Sequence, residues 1–329
     1  MVNIGLIGAG RIAHVHANTI AANPNAQLVA IADPYQPAAQ ELGGRFGATV
    51  LSDAQDLFAL DNLDAVVICS PTPQHPQHII AAAKAGLPAL CEKPIALDYE
   101  AAKQLEKDLE GLNPTIMLGF NRRFDPSFAA IKALVDRGEI GQVEQVTITS
   151  RDPEAPSPQY VATSGGIFKD MTIHDFDMAR FFLGDIVEVF AYGQNFDPEI
   201  KKANDFDATM ILLRNANGVV ATIINSRHCA PGYDQRLEVF GADGVLNADN
   251  VRATTVELST SNFSASKEPY LNFFLERYAQ AYSNELNTFL DAIAHGQTPT
   301  PNVADGIKAL QIAEAAQESA LTGTSITLS

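Results

Sequence analysis

The chain has 329 residues, of which 46% are hydrophobic and 19% charged, a balance that excludes an intrinsically disordered protein and suits two domains of ordinary size. Lys and Arg number 22 against 39 Asp and Glu, a formal net charge of −17 with no Lys/Arg run longer than two, so nucleic acid is not an expected partner. Cys69, Cys91 and Cys229 make neither a disulfide framework nor a zinc-ligand spacing. No segment approaches the roughly 20 apolar residues of a membrane span, and the N-terminus lacks a signal-peptide pattern, so a cytoplasmic protein with no membrane partner is expected.

Over the first 120 residues, short apolar runs at 4–7, 28–32, 65–69, 88–91 and 115–118 alternate with helical patterns at 11–22, 37–46, 53–60, 75–85 and 98–109. Runs buried on both faces and joined by helices predict a parallel sheet. After Gly119 the pattern changes. A helix at 126–136 precedes longer strand-like segments at 143–150, 187–194, 208–213, 219–227 and 236–240, with hairpin turns at 215–218 and 241–244. The proline-rich stretch 153–158 reads as a surface loop, and 272–295 and 305–321 as closing helices. The fold class predicted is α/β: an N-terminal Rossmann domain over 1–120, then a C-terminal α/β domain over 121–329 with an open, mainly antiparallel sheet.

The first chemical motif is Gly8-Ala9-Gly10-Arg11-Ile12-Ala13, directly after the first strand and opening the first helix. Gly8 permits a tight turn, Gly10 lets backbone approach a pyrophosphate, and the helix N-terminus offers free N–H groups to it. Asp33 ends the second strand run about 20 residues further on, where an acid binds ribose hydroxyls and repels a 2′-phosphate. NAD is therefore expected over NADP; the alternative for Asp33 is a loop cap, and for the glycines a plain strand–helix turn.

Ser70 and Thr72 follow the run 65–69, at the carboxyl end of a parallel strand, where a cofactor crevice is lined. His75 and His78 come next; no third ligand lies nearby, and no metal is expected. Glu92-Lys93-Pro94 follows the run 88–91 at the same edge. Lys93 there could stabilise developing alkoxide charge, although alone it also reads as a surface lysine. Gly8, Gly10, Arg11, Ile12, Asp33, Ser70, Thr72, His75, Glu92 and Lys93 form the candidate cofactor-binding set.

The richest segment runs from Gly165 to Arg180. Asp170 and His174 are four residues apart, so one helix would place them on one face. A carboxylate beside an imidazole tunes a general base near neutral pH. A helix cap and a partly buried histidine would look the same, and both readings stand.

Together these residues resemble the glucose-fructose oxidoreductase/inositol dehydrogenase (Gfo/Idh/MocA) family. The resemblance rests on the Gly8–Ala13 turn, Cys-Glu-Lys-Pro at 91–94, Gly-Phe-Asn-Arg-Arg-Phe-Asp-Pro at 119–126, Ser-Arg-Asp-Pro at 150–153, the run 165–180, Gly-Tyr-Asp-Gln-Arg at 232–236 and Phe-Phe-Leu-Glu-Arg-Tyr at 273–278. It spans nearly the whole chain and is nearest to the inositol dehydrogenase branch. It implies NAD-dependent oxidation of a secondary ring hydroxyl of a cyclic polyol, myo-inositol first, in a homotetramer assembled through the open sheet. Lys93, Asp170 and His174 match the family's catalytic lysine, aspartate and histidine, with His174 as general base. Asn121, Arg122, Asp152 and Tyr233 match residues around the polyol. Two other functions stay open: a dehydrogenase of another inositol isomer or a pyranose sugar, and a non-catalytic NAD-binding regulator.

Overall fold

A computed structural model describes residues 1–328. The chain divides into two compact units, Met1–Phe124 with Gln280–Leu310, and Asp125–Ala279 with Gln311–Ser329.

The first unit is built on a six-stranded parallel sheet of order β3-β2-β1-β4-β5-β6. Its strands are β1 (Val2–Ile7), β2 (Ala26–Ala32), β3 (Thr49–Leu51), β4 (Ala65–Ile68), β5 (Ala89–Cys91) and β6 (Ile116–Leu118). Between them run α1 (Arg11–Ala22), α2 (Gln36–Phe46), α3 (Ala54–Phe58), α4 (His75–Lys84) and α5 (Tyr99–Asp108). Ile4, Leu6, Ile31, Val67, Leu90 and Met117 are fully buried, as strands covered on both faces require. Asp53 and Asp98 start α3 and α5 by accepting backbone N–H bonds from Gln55 and Ala101. The strand order reverses direction at β1 and β4, and the carboxyl ends of those strands form the crevice edge of such sheets. β3 was absent from the predicted elements because three residues carry too short an apolar run to register.

The second unit begins with α6 (Pro126–Asp136), whose N-cap Asp125 accepts from the N–H groups of Ser127 and Phe128. β7 (Val143–Arg151) leads to α7 (Pro158–Ser164), α8 (Gly166–Asp170) and α9 (Ile173–Leu183). There follow β8 (Ile186–Gln194), α10 (Pro198–Lys202), β9 (Ala208–Asn215), β10 (Val220–Ser226), β11 (Asp234–Gly241) and β12 (Gly244–Ala248). A small hairpin joins β13 (Glu257–Leu258) to β14 (Ser266–Lys267). β15 (Ile326–Thr327) completes a seven-stranded sheet of order β12-β11-β7-β10-β9-β8-β15. Every pair is antiparallel except β7–β10, which is parallel over seven residues of register. The sheet is thus mixed, mostly antiparallel. At the β9–β10 turn Asn215 Oδ1 accepts the N–H groups of Asn217 and Val219, both at 3.0 Å, and Gly218 takes φ +84°.

The helix expected over 272–295 is two helices, α11 (Phe274–Arg277) and α12 (Ala279–His295), parted at Tyr278. Just before the break, the Arg277 guanidinium is buried in an ion pair with Asp125 and bonded to Asn250. After Ala279 the chain returns to its first unit with Gln280–Leu310. Leu286, Phe289 and Leu290 of α12 belong to the same core as Ile4 and Leu28. The last helix, α13 (Val303–Thr322), contributes to both units. No helix among the described residues is long and apolar enough to cross a membrane.

Candidate active site

In the first unit the loop after β1 is made by two glycines with different tasks. Gly8 has φ +101°, and a Cβ on it would lie 2.6 Å from the Cys69 carbonyl oxygen at the end of β4. Only glycine fits that approach. Gly10 precedes α1 in an extended conformation, makes no side-chain cap, and has no atom within 4 Å of where a Cβ would be. The start of α1 therefore carries no side-chain cap and has open space beside Gly10, an arrangement that can receive a phosphate. Arg11 is exposed beside them and Ile12 half-buried.

Asp33 stands one residue beyond β2. Its Oδ2 accepts the Ala9 N–H at 2.7 Å and its Oδ1 the Tyr35 N–H at 2.7 Å. Asp33 thus meets the loop-cap reading. It caps its own loop and ties it to the glycine turn, while each oxygen keeps a lone pair for a ribose hydroxyl. The open cradle at Gly10 and the acid at β2 fit an NAD pyrophosphate and adenosine ribose.

Beyond β4, Ser70 Oγ lies 2.9 Å from His78 Nδ1, and half-buried Thr72 opens a short helical turn, Thr72–Gln74. His75 comes next along the chain. It is 1% exposed, and its two ring nitrogens lie 2.7 Å from the Pro94 carbonyl and 2.8 Å from the Ser70 carbonyl. Its side chain is a clamp between the loops after β4 and β5. Burial holds its imidazole below the ordinary range, against the pull of those two carbonyls. His78 is lowered to about 4, by burial first and then by His75.

Glu92 follows β5. It is buried, with Oε1 2.7 Å from His16 Nε2, and His16 packs edge-on against Tyr282. Glu285, one turn further along α12, is fully buried and its carboxyl is pushed well above the usual carboxylate range, by burial and then by the charge of Glu92. This interior cluster had no signal in the sequence, since Glu285 sits on a helix far along the chain. Burial likewise raises the thiols of Cys69 and Cys91. Lys93 is half-buried, not a surface lysine, and is followed by a cis peptide to Pro94, whose carbonyl the His75 clamp holds. Asn121 and Arg122 lie in the turn Asn121–Phe124, 3% and 4% exposed.

In the second unit Asp170 and His174 do not share one helix. Asp170 ends α8 and His174 is the second residue of α9, with a break at Met171 and Thr172. A side-chain network lies beside it: Thr172 Oγ1 donates to Asn225 Oδ1 at 2.7 Å, and Asn225 Nδ2 donates to Asp175 Oδ2 at 2.8 Å. Asn225 comes from β10, so nothing near residue 170 foretold it. Asp170 and His174 are both half-buried, and the Tyr160 hydroxyl donates to Asp170 Oδ1 at 3.0 Å. Tyr160 belongs to α7, which Ser157 caps at the end of the expected proline-rich loop. Asp152 is half-buried, its N–H bonded to the Ser226 carbonyl at 2.9 Å. Tyr233 is buried and packs edge-on against Tyr278 at 6.0 Å.

A 3-2-1-4-5-6 parallel sheet with a glycine turn after β1 and an acid after β2 defines a Rossmann-type oxidoreductase, here carrying a second domain on a mixed sheet. The model of the oxidoreductase family with an NAD-binding Rossmann fold matches residues 2–120, and that of the GFO/IDH/MocA C-terminal domain matches 128–247. The chain belongs to the Gfo/Idh/MocA family, as the motifs from Gly8 to Arg236 implied. It is 46% identical to inositol 2-dehydrogenase of Rhizobium meliloti over 97% of this chain and 96% of that one. It is 42% identical to myo-inositol 2-dehydrogenase of Thermotoga maritima, again over 97% and 96%. The crystal structure of a myo-inositol dehydrogenase from Corynebacterium glutamicum superposes with a TM-score of 0.97 at 51% identity, covering 100% of this chain and 99% of that one. Scyllo-inositol dehydrogenase from Lactobacillus casei, solved with NAD(H) and scyllo-inositol, gives a TM-score of 0.92 at 32% identity, covering 99% of each.

Proposed function

We propose that this chain is an NAD-dependent dehydrogenase of a cyclic polyol, converting myo-inositol to 2-keto-myo-inositol. The observation that carries the cofactor half is the link from the Asp33 carboxylate to the Ala9 N–H inside the glycine turn. The substrate half is supported by the inositol dehydrogenases to which the chain is similar over its full length.

NAD, when bound, supplies the hydride acceptor for the carbon that becomes the ketone. His174 takes the hydroxyl proton of that same carbon, so alcohol and NAD give ketone, NADH and a proton. Asp170 orients His174 and the substrate. Lys93 hydrogen-bonds the reacting oxygen and stabilises its developing negative charge. Asn121, Arg122, Asp152 and Tyr233 recognise the polyol. Such a site discriminates epimers by leaving its polar groups unpaired when a hydroxyl is inverted.

The protein works in the cytoplasm as a homotetramer. Three free, buried cysteines suit a reducing compartment. The solvent face of the large sheet suits self-association: Tyr192, Met210, Leu212, Phe240 and Val245 are each 42% exposed or more, and Phe190 stacks edge-on against Tyr192 at 4.9 Å. Analytical ultracentrifugation tests this, and a monomer at micromolar concentration would refute it.

Steady-state rates across cyclitols and aldoses, each with NAD and NADP, test the activity. The expected result is turnover of myo-inositol with NAD. Turnover of a pyranose alone would move the substrate, and cofactor binding without turnover of any would favour the regulator.

A further inference from the structure

Arg227 is the residue directly after β10, and it is 1% exposed. A guanidinium is seldom buried so fully without a close partner, since leaving water is costly for a charge. Its Nη2 stands 3.5 Å from Asp205 Oδ2 and 3.9 Å from Asp170 Oδ2. Neither its Nε nor its Nη2 has a hydrogen-bond partner among the described residues. Arg227 thus lies between two carboxylates as a charge, not as a bidentate ligand of either.

Asp205 is built into the same support. Its Oδ1 accepts the Ile167 N–H at 3.0 Å, near the start of α8, the helix that ends on Asp170. Gly166 has φ +80°, and a Cβ there would fall 2.8 Å from that oxygen, so the approach needs glycine. The Arg227 backbone is pinned as well, its N–H bonding the Asp207 carbonyl at 2.7 Å. On the opposite side the Tyr160 hydroxyl holds Asp170 Oδ1. Asp170 is therefore held at one oxygen by a phenol and drawn at the other by a buried cation.

We propose that Arg227 is a positioning residue for the reaction, holding the Asp170 carboxylate in place through a charge interaction that it shares with Asp205. The inference rests on the reading that Asp170 works with His174. Arg227 itself is 1% exposed and is assigned no direct role toward substrate or cofactor.

The test is a double-mutant cycle in the full-length enzyme with Arg227→Met, Asp170→Asn and the double variant. Polyol turnover, the KM for polyol and the NAD dissociation constant are all measured. Arg227→Met is expected to lower kcat about 10- to 100-fold, the range of one lost charged interaction, with NAD affinity unchanged. Arg227→Lys is expected to recover part of that loss. The double variant is expected to be no slower than Asp170→Asn, because the arginine acts only through that carboxylate.

If Arg227→Met turns over like wild type while Asp170→Asn is impaired, the inference fails and the reading of Asp170 survives. Losses that multiply in the double variant would likewise overturn it, by showing a general structural role. An Asp170→Asn variant with wild-type turnover would overturn both. Should Arg227→Met not fold, Arg227→Lys in the two backgrounds completes the same cycle.

Discussion

Replacing Asp33 by Ser separates two tasks of one carboxylate. In the protein alone it removes two bonds to backbone N–H groups, each 2.7 Å long. Bonds to a charged acceptor contribute about 1.5–3 kcal/mol each when buried, and Asp33 is only half-buried, so a loss of about 1–3 kcal/mol of stability in total is expected. In the complex the variant also loses the acceptor for the adenosine ribose hydroxyls. That loss, again about 1.5–3 kcal/mol, weakens NAD binding about 10- to 150-fold. Removal of the negative charge relieves repulsion of a 2′-phosphate, so NADP gains relative to NAD. The maximal rate at saturating NAD changes little, since Asp33 is far in sequence and task from the proton chemistry. Titration of NADH fluorescence, kcat/KM with each cofactor, and urea unfolding measure the three effects separately. An Asp33→Ser enzyme with unchanged NAD affinity and unchanged preference would refute the argument, whatever its stability.

Gly8→Ala places a Cβ 2.6 Å from the Cys69 carbonyl at φ +101°. Destabilisation by about 2–4 kcal/mol in urea unfolding and weaker NAD binding are expected. His78 has a folded-state value of about 4 against 6.5 for a free imidazole. The unfolded chain therefore binds more protons in that interval, and stability falls as pH drops from about 6.5 to about 4, by up to about 3 kcal/mol. A His78→Gln variant is expected to flatten that slope in denaturation curves taken across the interval. Leu212, 52% exposed on β9 opposite Phe190, lies amid the apolar sheet face. Leu212→Asp is expected to shift the sedimenting species toward monomer while leaving the unfolding midpoint within a few degrees of wild type.

The cofactor half of this protein is legible in its sequence because the signals are local. Gly8, Gly10 and the helix after them are contiguous, and Asp33 ends the very next strand run. What escaped is what depends on residues distant along the chain. Asp170 and His174 have helical spacing, yet they fall in two successive helices, and Thr172 between them bonds Asn225 from β10. His75 sits where a crevice residue belongs, yet two backbone carbonyls, one of them 19 residues away, take up its ring. The pattern of Leu286, Phe289 and Leu290 announces an apolar helix face but not which sheet it covers, so the return of the chain to its first unit was invisible. Arg227 belongs to no motif and acquires its neighbours only when β10 is laid beside α8.

The most direct measurement is NADH formation by the purified enzyme with NAD and myo-inositol, run beside Lys93→Ala. The expected result is steady NADH production by the wild type, and loss of turnover in Lys93→Ala with NAD affinity nearly intact. A Lys93→Ala enzyme that keeps most of its activity would contradict the assignment of the site.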